Sequence, residues 1–153
     1  MINNLAHEGY YIITAKYKDG HKETQVVKNR ITNVALDKTI NAFDGIDPNM
    51  QIKYLAIGTS DAAINDNDTT LGTEIFRTQF QTSNNTATGE FTTTFAVLDT
   101  EAVATWEELG IFCGTSATAT ADTGTMLSRI LFNFEKTNLV EADFTRVDRQ
   151  IRS

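Results

Sequence analysis

The stretch Glu90-Phe91-Thr92-Thr93-Thr94-Phe95-Ala96-Val97-Leu98 decides the fold. Phe91, Thr93, Phe95 and Val97 recur at every second position, with polar or small residues between them. Side chains along a strand point alternately to opposite faces, so this pattern describes one strand with one apolar face.

The same reading extends outward in both directions. Upstream, residues 74–82 place Phe76, Thr78 and Phe80 on one face, and residues 51–58 form a further apolar strand. Downstream, residues 105–113 align Leu109, Ile111 and Cys113, and residues 125–134 align Met126, Ile130, Phe132 and Phe134. In residues 139–151 the expected apolar face is Leu139, Thr145, Val147 and Ile151. Alternation with one apolar face predicts antiparallel sheets packed on one side each, and strands in series without intervening helices predict a mainly β sandwich. Composition agrees: 24 of 153 residues are threonine, whose β-branched side chain suits a pleated surface. Three connections are expected to be long loops: 59–73, 83–89 and 114–124.

One helix is expected, over residues 33–43. Leu36, Ile40 and Phe43 make a narrow apolar stripe predicted to cover a face or end of the sheets, with Thr32 or Asn33 as the cap and Asp44-Gly45 and Pro48 as the stop. Before it, Asp19-Gly20 joins two β-rich runs, a two-residue hairpin signal. The second run is very polar, so this hairpin is expected at an edge or projecting from the body. The chain thus divides into an N-terminal hairpin arm (1–30) and a β-sandwich domain with one helix (31–153).

A net charge of −7, with cationic residues in only two modest clusters (Lys16/Lys18/Lys22 and Arg146/Arg149/Arg152), argues against nucleic-acid binding. No apolar run is long enough to span a bilayer, and the N-terminus lacks the pattern of a signal peptide. The expectation is therefore synthesis in a cytoplasm and no membrane partner. Cys113 stands alone between apolar neighbours and reads as a buried hydrophobe.

Chemistry-bearing patterns are sparse. The two histidines, His7 and His21, lie in the N-terminal segment, far in sequence from any nucleophile pattern. Asp66, Asp68 and Thr70 are the best calcium candidate, with oxygen ligands at alternate positions, but Leu71 stands where the sharp turn of an EF-hand needs glycine. Asp and Asn there also serve as turn formers. Glu107 and Glu108 are adjacent, so on a regular strand they point to opposite faces and cannot flank one glycosidic bond. Trp106, Tyr10, Tyr11, Tyr17 and Tyr54 offer rings for sugar stacking, a role weighed against core or interface anchoring. The expectation is a protein that is not an enzyme and carries no cofactor.

The order of motifs resembles a family of tailed-phage proteins found in baseplate, tail-fibre or tail-tip positions. A helix precedes Tyr54-Leu55-Ala56-Ile57-Gly58-Thr59; then come Thr70-Leu71-Gly72-Thr73-Glu74-Ile75-Phe76-Arg77, Glu108-Leu109-Gly110-Ile111-Phe112, and Met126-Leu127-Ser128-Arg129-Ile130-Leu131-Phe132 running to Glu135-Lys136-Thr137. The resemblance covers about residues 29–151, and the loop after Gly114 is longer than the family pattern. It implies a virion structural protein, a tail, baseplate or collar component that connects tail and fibre parts. Its partners would be other copies of itself, in a trimer or ring, and other tail proteins. The alternatives are a carbohydrate-binding receptor module of a tail fibre, and a capsid decoration or head-fibre base protein. Glu74, Arg77, Glu108 and Arg129 are expected to form a buried or interfacial ion network, and Tyr10, Tyr17 and Val27 of the hairpin to lie at an interface between copies.

Overall fold

The computed structural model of the chain describes residues 5–46 and 49–152. Their elements, in order, are β1 (Leu5–Tyr17), β2 (Lys22–Lys28), α1 (Asn33–Phe43), β3 (Ile52–Gly58), β4 (Glu74–Gln79), β5 (Thr82–Ala87), β6 (Glu90–Val97), β7 (Ala104–Cys113), β8 (Thr125–Lys136) and β9 (Val140–Arg152). They build a β-sandwich. One sheet runs β2-β1-β9-β6-β5 and the other β4-β3-β7-β8, with antiparallel pairing throughout.

The core lies between the sheets. Tyr11 and Ile13, Phe95 and Val97, and Ala142 and Phe144 come from the five-stranded sheet. They meet Leu55, Ile57, Trp106, Leu109, Ile111, Ile130 and Phe132 of the other. Removing each large side chain from water contributes roughly 1.5–3 kcal/mol. The alternation of Phe91, Thr93, Phe95 and Val97 holds as read, with Phe91 partly buried and the other three buried.

The hairpin is no separate arm. All thirteen residues of β1 pair with β9, and Tyr11 and Ile13 are core residues, so no boundary appears near residue 30. Only β2 is at the edge, as its polarity suggests. The turn also differs from the two-residue form. Tyr17 N–H donates to His21 O and Gly20 N–H to Tyr17 O, and among the described residues only Gly20 of the Asp19-Gly20 pair has positive φ (95°). This is a three-residue loop with glycine in the left-handed position.

Two strand faces depart from the sequence reading. In β9 the inward positions are Val140, Ala142, Phe144, Arg146 and Asp148, not Leu139, Thr145, Val147 and Ile151. A one-residue shift moves every side chain to the other face, and the two inward charges hid the true apolar face. In β8 the register against β7 shifts between Ile111 and Phe112, so Leu127 joins the inter-sheet core while Met126 turns outward. A bulge changes parity in this way.

The segment 83–89, expected as a loop, is mostly strand β5. Every residue of β5 is exposed, so no apolar alternation marks it. Pairs of threonine hydroxyls tie it to β6 instead: Thr82 to Thr94 at 2.6 Å and Thr86 to Thr92 at 3.0 Å. The chain changes sheets just before it. Phe80 N–H donates to Lys53 O in one sheet and Gln81 N–H to Thr94 O in the other.

Helix α1 begins as expected. Thr32 Oγ1 accepts from Ala35 N–H at 3.3 Å, and its hydroxyl donates to Met126 O at 2.5 Å, which docks the helix on β8. Gly45 follows the C-cap with φ +72°; Pro48, the further stop signal, lies outside the described residues. The stripe does not cover the sheets. Ala35 is the buried contact, and Leu36, Ile40 and Phe43 are 48%, 65% and 82% exposed. Ile46 beyond the C-terminus is exposed as well.

Candidate functional site

Part of the outer face of the four-stranded sheet is covered, which the one-sided pattern did not predict. Tyr54, Ala56, Phe112 and Met126 form a second apolar cluster there with Leu71 and Ala117, which come from the loops 59–73 and 114–124. β7 is therefore buried on both faces from Glu108 to Cys113. Each loop is fastened by one buried ion pair.

The first pair is Glu108 with Arg129. Glu108 is fully buried, and both its oxygens are occupied. Oε1 accepts from Thr73 N–H at 2.8 Å and Ser60 N–H at 3.4 Å; Oε2 accepts from Gly72 N–H at 2.9 Å and Arg129 Nε at 2.8 Å. The Arg129 guanidinium goes on to Asp68 Oδ2 at 2.9 Å and the carbonyls of Ala62 at 3.0 Å and Ala63 at 3.4 Å. Burial opposes the Arg129 charge, yet the carboxylates of Glu108 and Asp68 hold its pKa above the usual arginine value. Gly58 makes room for this: a Cβ there would collide with the Glu108 side chain and Thr73 O. A Cβ at Gly110 would press on Leu71, 2.9 Å away.

The second pair is Glu74 with Arg77, bonded in a fork at 2.5 and 2.7 Å. Arg77 Nη1 donates to Thr118 O at 2.9 Å and Thr123 O at 3.1 Å, and Glu74 Oε2 accepts from Asp122 N–H at 3.0 Å. The guanidinium stacks over Phe112, 4.5 Å from the ring centre. The four charged residues expected to form one network thus form two separate clamps, one per loop.

The calcium candidates do not converge. Asp66 accepts from Arg30 Nε at 2.6 Å and Asp68 from Arg129, while Thr70 is exposed. The two carboxylates serve different guanidiniums, and no group of three metal-ligating side chains occurs among the described residues. Glu107 accepts from Asn133 Nδ2 at 2.9 Å, apart from the Glu108 site, although the β7–β8 register does shift between Trp106 and Glu108. Trp106, Tyr11 and Tyr54 are buried and stack nothing from outside. Tyr10 lies under the Arg149 guanidinium (5.3 Å), Tyr17 donates to Glu23 Oε2 at 3.2 Å and stacks on His21, and Val27 packs against the core rather than facing outward. Cys113 is buried, as expected of a small apolar side chain.

One polar cluster escaped the sequence reading. Arg146, grouped in the sequence with Arg149 and Arg152 as a modest cationic cluster, is fully buried. It donates to Asp148 Oδ2 (2.8 Å) and Oδ1 (2.9 Å), Tyr11 OH (2.9 Å) and Ser128 Oγ (2.6 Å). His7 Nε2 lies 3.0 Å from Asp148 Oδ1. Burial pushes the Asp148 carboxyl up, but Arg146 and His7 outweigh it and hold it at about 2. The signal available was an Arg-x-Asp spacing, which puts both side chains on one strand face. The Arg146 site opens onto a cleft of about 490 Å³ whose lining includes His7, Met50, Ile52, Phe91, Leu127 and Asp148. Scans of protein-family models, curated proteins and solved structures return no match for this chain.

Proposed function

We propose that this chain is an oligomeric structural component of a phage tail, at the baseplate, collar or fibre junction. The observation that carries the reading is the open apolar stripe of α1. Leu36, Ile40, Phe43 and Ile46 form a row of large apolar side chains on the surface of a body whose loops are otherwise fastened down. Such a row on a monomer marks a surface that another protein covers. The motifs that resemble those of the tail proteins add weight in a physical sense. Gly58, Gly72, Glu74, Arg77, Glu108, Gly110, Phe112 and Arg129 all take part in holding the two loops on the outer sheet face. A clamped sandwich of this kind resists deformation and suits a part that transmits load between neighbours.

The test is location in the intact particle. Antibody labelling or cryo-electron microscopy of virions is expected to place several copies of the chain around the tail axis. Labelling confined to the head, or particles that lack the chain, would overturn the assignment.

A further inference from the structure

Four strands end the two sheets: β2 and β5 in one, β4 and β8 in the other. An edge strand offers unpaired N–H and C=O groups to another chain, and charged side chains along it discourage that pairing. β2 carries Lys22, Glu23 and Lys28; β4 carries Glu74 and Arg77; β8 carries Arg129, Glu135 and Lys136. The β8 edge is also partly covered, since Thr32 N–H donates to Leu127 O and Arg129 N–H to Arg30 O. β5, which reads Thr82-Ser83-Asn84-Asn85-Thr86-Ala87, has no charge and no proline. All six of its residues are exposed, and among the described residues its backbone bonds to β6 alone. The one charged residue of β6, Glu90, is held by Arg149 at 2.6 Å.

The β5 edge is also complementary to itself. When two copies pair edges across a two-fold axis, the strands run antiparallel and directly opposed residues share a face of the sheet. Neighbouring residues point to opposite faces, so the axis passes through a residue and not between two. The register against β6 shifts between Asn85 and Ala87, which disfavours an axis farther along the strand. An axis at Asn84 sets Asn84 against its own counterpart, Ser83 against Asn85, and Thr82 against Thr86. Thr82 and Thr86 already form hydroxyl pairs within the sheet, with Thr94 at 2.6 Å and Thr92 at 3.0 Å. Facing Thr82 with the partner's Thr86 joins these pairs into one row across the contact. The Thr86 hydroxyl donates to Glu90 Oε1 at 2.7 Å, so its oxygen is left to accept from Thr92 and from Thr82 of the other copy. The same operation on β2, about its middle residue Gln25, sets Lys22 against Lys28.

We propose that two copies of this chain pair β5 to β5 about a two-fold axis at Asn84, joining their five-stranded sheets into one continuous sheet. The occupant is a second copy because the strand matches itself in face, in charge and in its hydroxyl row. Main-chain hydrogen bonds, roughly four to six over this length, supply the attraction, and no like charges face each other. The contact is separate from the α1 stripe that carries the function proposed above. A two-fold contact closes at two copies, so β5 makes pairs and assembly beyond the pair belongs to another surface.

A residue that faces itself across the axis gives the test. Asn84→Lys and Asn84→Asp each bring two like charges together, whereas a mixture of the two brings opposite charges together. Asn84 is exposed, so both variants are expected to fold, as circular dichroism would check. By sedimentation equilibrium up to about 1 mM, where a Kd of about 1 mM still registers, the wild type is expected to form dimers of its 16.9 kDa chain. Each variant alone is expected to dimerise about tenfold more weakly or worse, and the equimolar mixture to recover wild-type dimerisation or better. In the double variant Ile40→Asp with Phe43→Asp, which alters the α1 stripe, assembly beyond the dimer is expected to go and the dimer to stay. A wild type that stays monomeric, an Asn84→Lys variant that dimerises as the wild type does, or a mixture no tighter than its components overturns the contact. Dimers that the α1 double variant abolishes and Asn84→Lys spares also overturn it, and leave the α1 reading standing. Dimers through β5 from a chain absent from virion tails support the contact and sink the tail assignment.

Discussion

At the scale of single residues, the side chains that matter most are charges held inside. Glu108 accepts four hydrogen bonds, three of them from the backbone of the loop it fastens. Glu108→Ala would orphan those amides and leave Arg129 buried beside an empty site. A cost of about 3–5 kcal/mol is expected, read from urea unfolding at neutral pH. Gly58→Ala should be costly for a related reason, since its Cβ competes for the space the carboxylate fills. Asp148 gives a pH signature. Its folded pKa lies below the ordinary carboxylate value, so the stability it contributes is complete above about pH 4 and is lost as pH falls toward 2. Unfolding free energies measured between pH 5 and 2 are expected to fall by on the order of 2 kcal/mol from this group. In Asp148→Asn the protein should be less stable at pH 7 and that part of the slope should vanish. These roles were only partly legible. Glu74, Arg77, Glu108 and Arg129 stand out as opposite charges inside apolar strands, whereas Arg146 sits in a run rich in arginine and reads as surface.

At the scale of elements, legibility follows the apolar pattern and fails where hydrogen bonds or charges replace it. β6 and the inner face of β7 from Leu109 to Cys113 are plain in the sequence because one face is apolar at every second position. β5 is invisible because threonine hydroxyls and backbone bonds hold it at an edge, with no buried side chain to mark it. The face of β9 is misread because its inward row ends in an ion pair, and Met126 because a register shift changes the parity of β8. The hairpin is a sharper case. Local signals find its two strands, but only long-range pairing shows that β1 lies inside the sheet, between β2 and β9. A chain lacking residues 1–28 would lose Tyr11 and Ile13 from the core and expose the ladder of β9. It is expected not to fold, seen as loss of the cooperative thermal transition; a separable arm would leave that transition nearly unchanged. The clamps predict a more local effect. Arg77→Ala should raise amide hydrogen exchange in residues 114–124 by about tenfold or more while the inter-sheet core stays protected.

At the scale of the whole molecule, the two broad faces and the helix have different fates. The outer face of the four-stranded sheet is sealed by its own loops around Tyr54, Ala56, Phe112 and Met126, while Leu131 of β8 stays exposed. The helix is the reverse: its sequence has the amphipathic stripe of a core-facing helix, yet the fold turns that stripe to solvent and docks through Thr32 and Ala35. An apolar row that contributes nothing to the monomer costs solubility, so its place in the sequence calls for a use outside the monomer. This separates stability from association in a measurable way. The double substitution Ile40→Asp with Phe43→Asp removes two large apolar groups that are 65% and 82% exposed. Its effect on monomer unfolding should stay within about 0.5 kcal/mol, the range of ordinary surface changes, while binding of a hydrophobic dye should fall and self-association should weaken. If the double variant instead unfolded, the stripe would belong to the core of the monomer, and the surface on which the assembly reading depends would not exist.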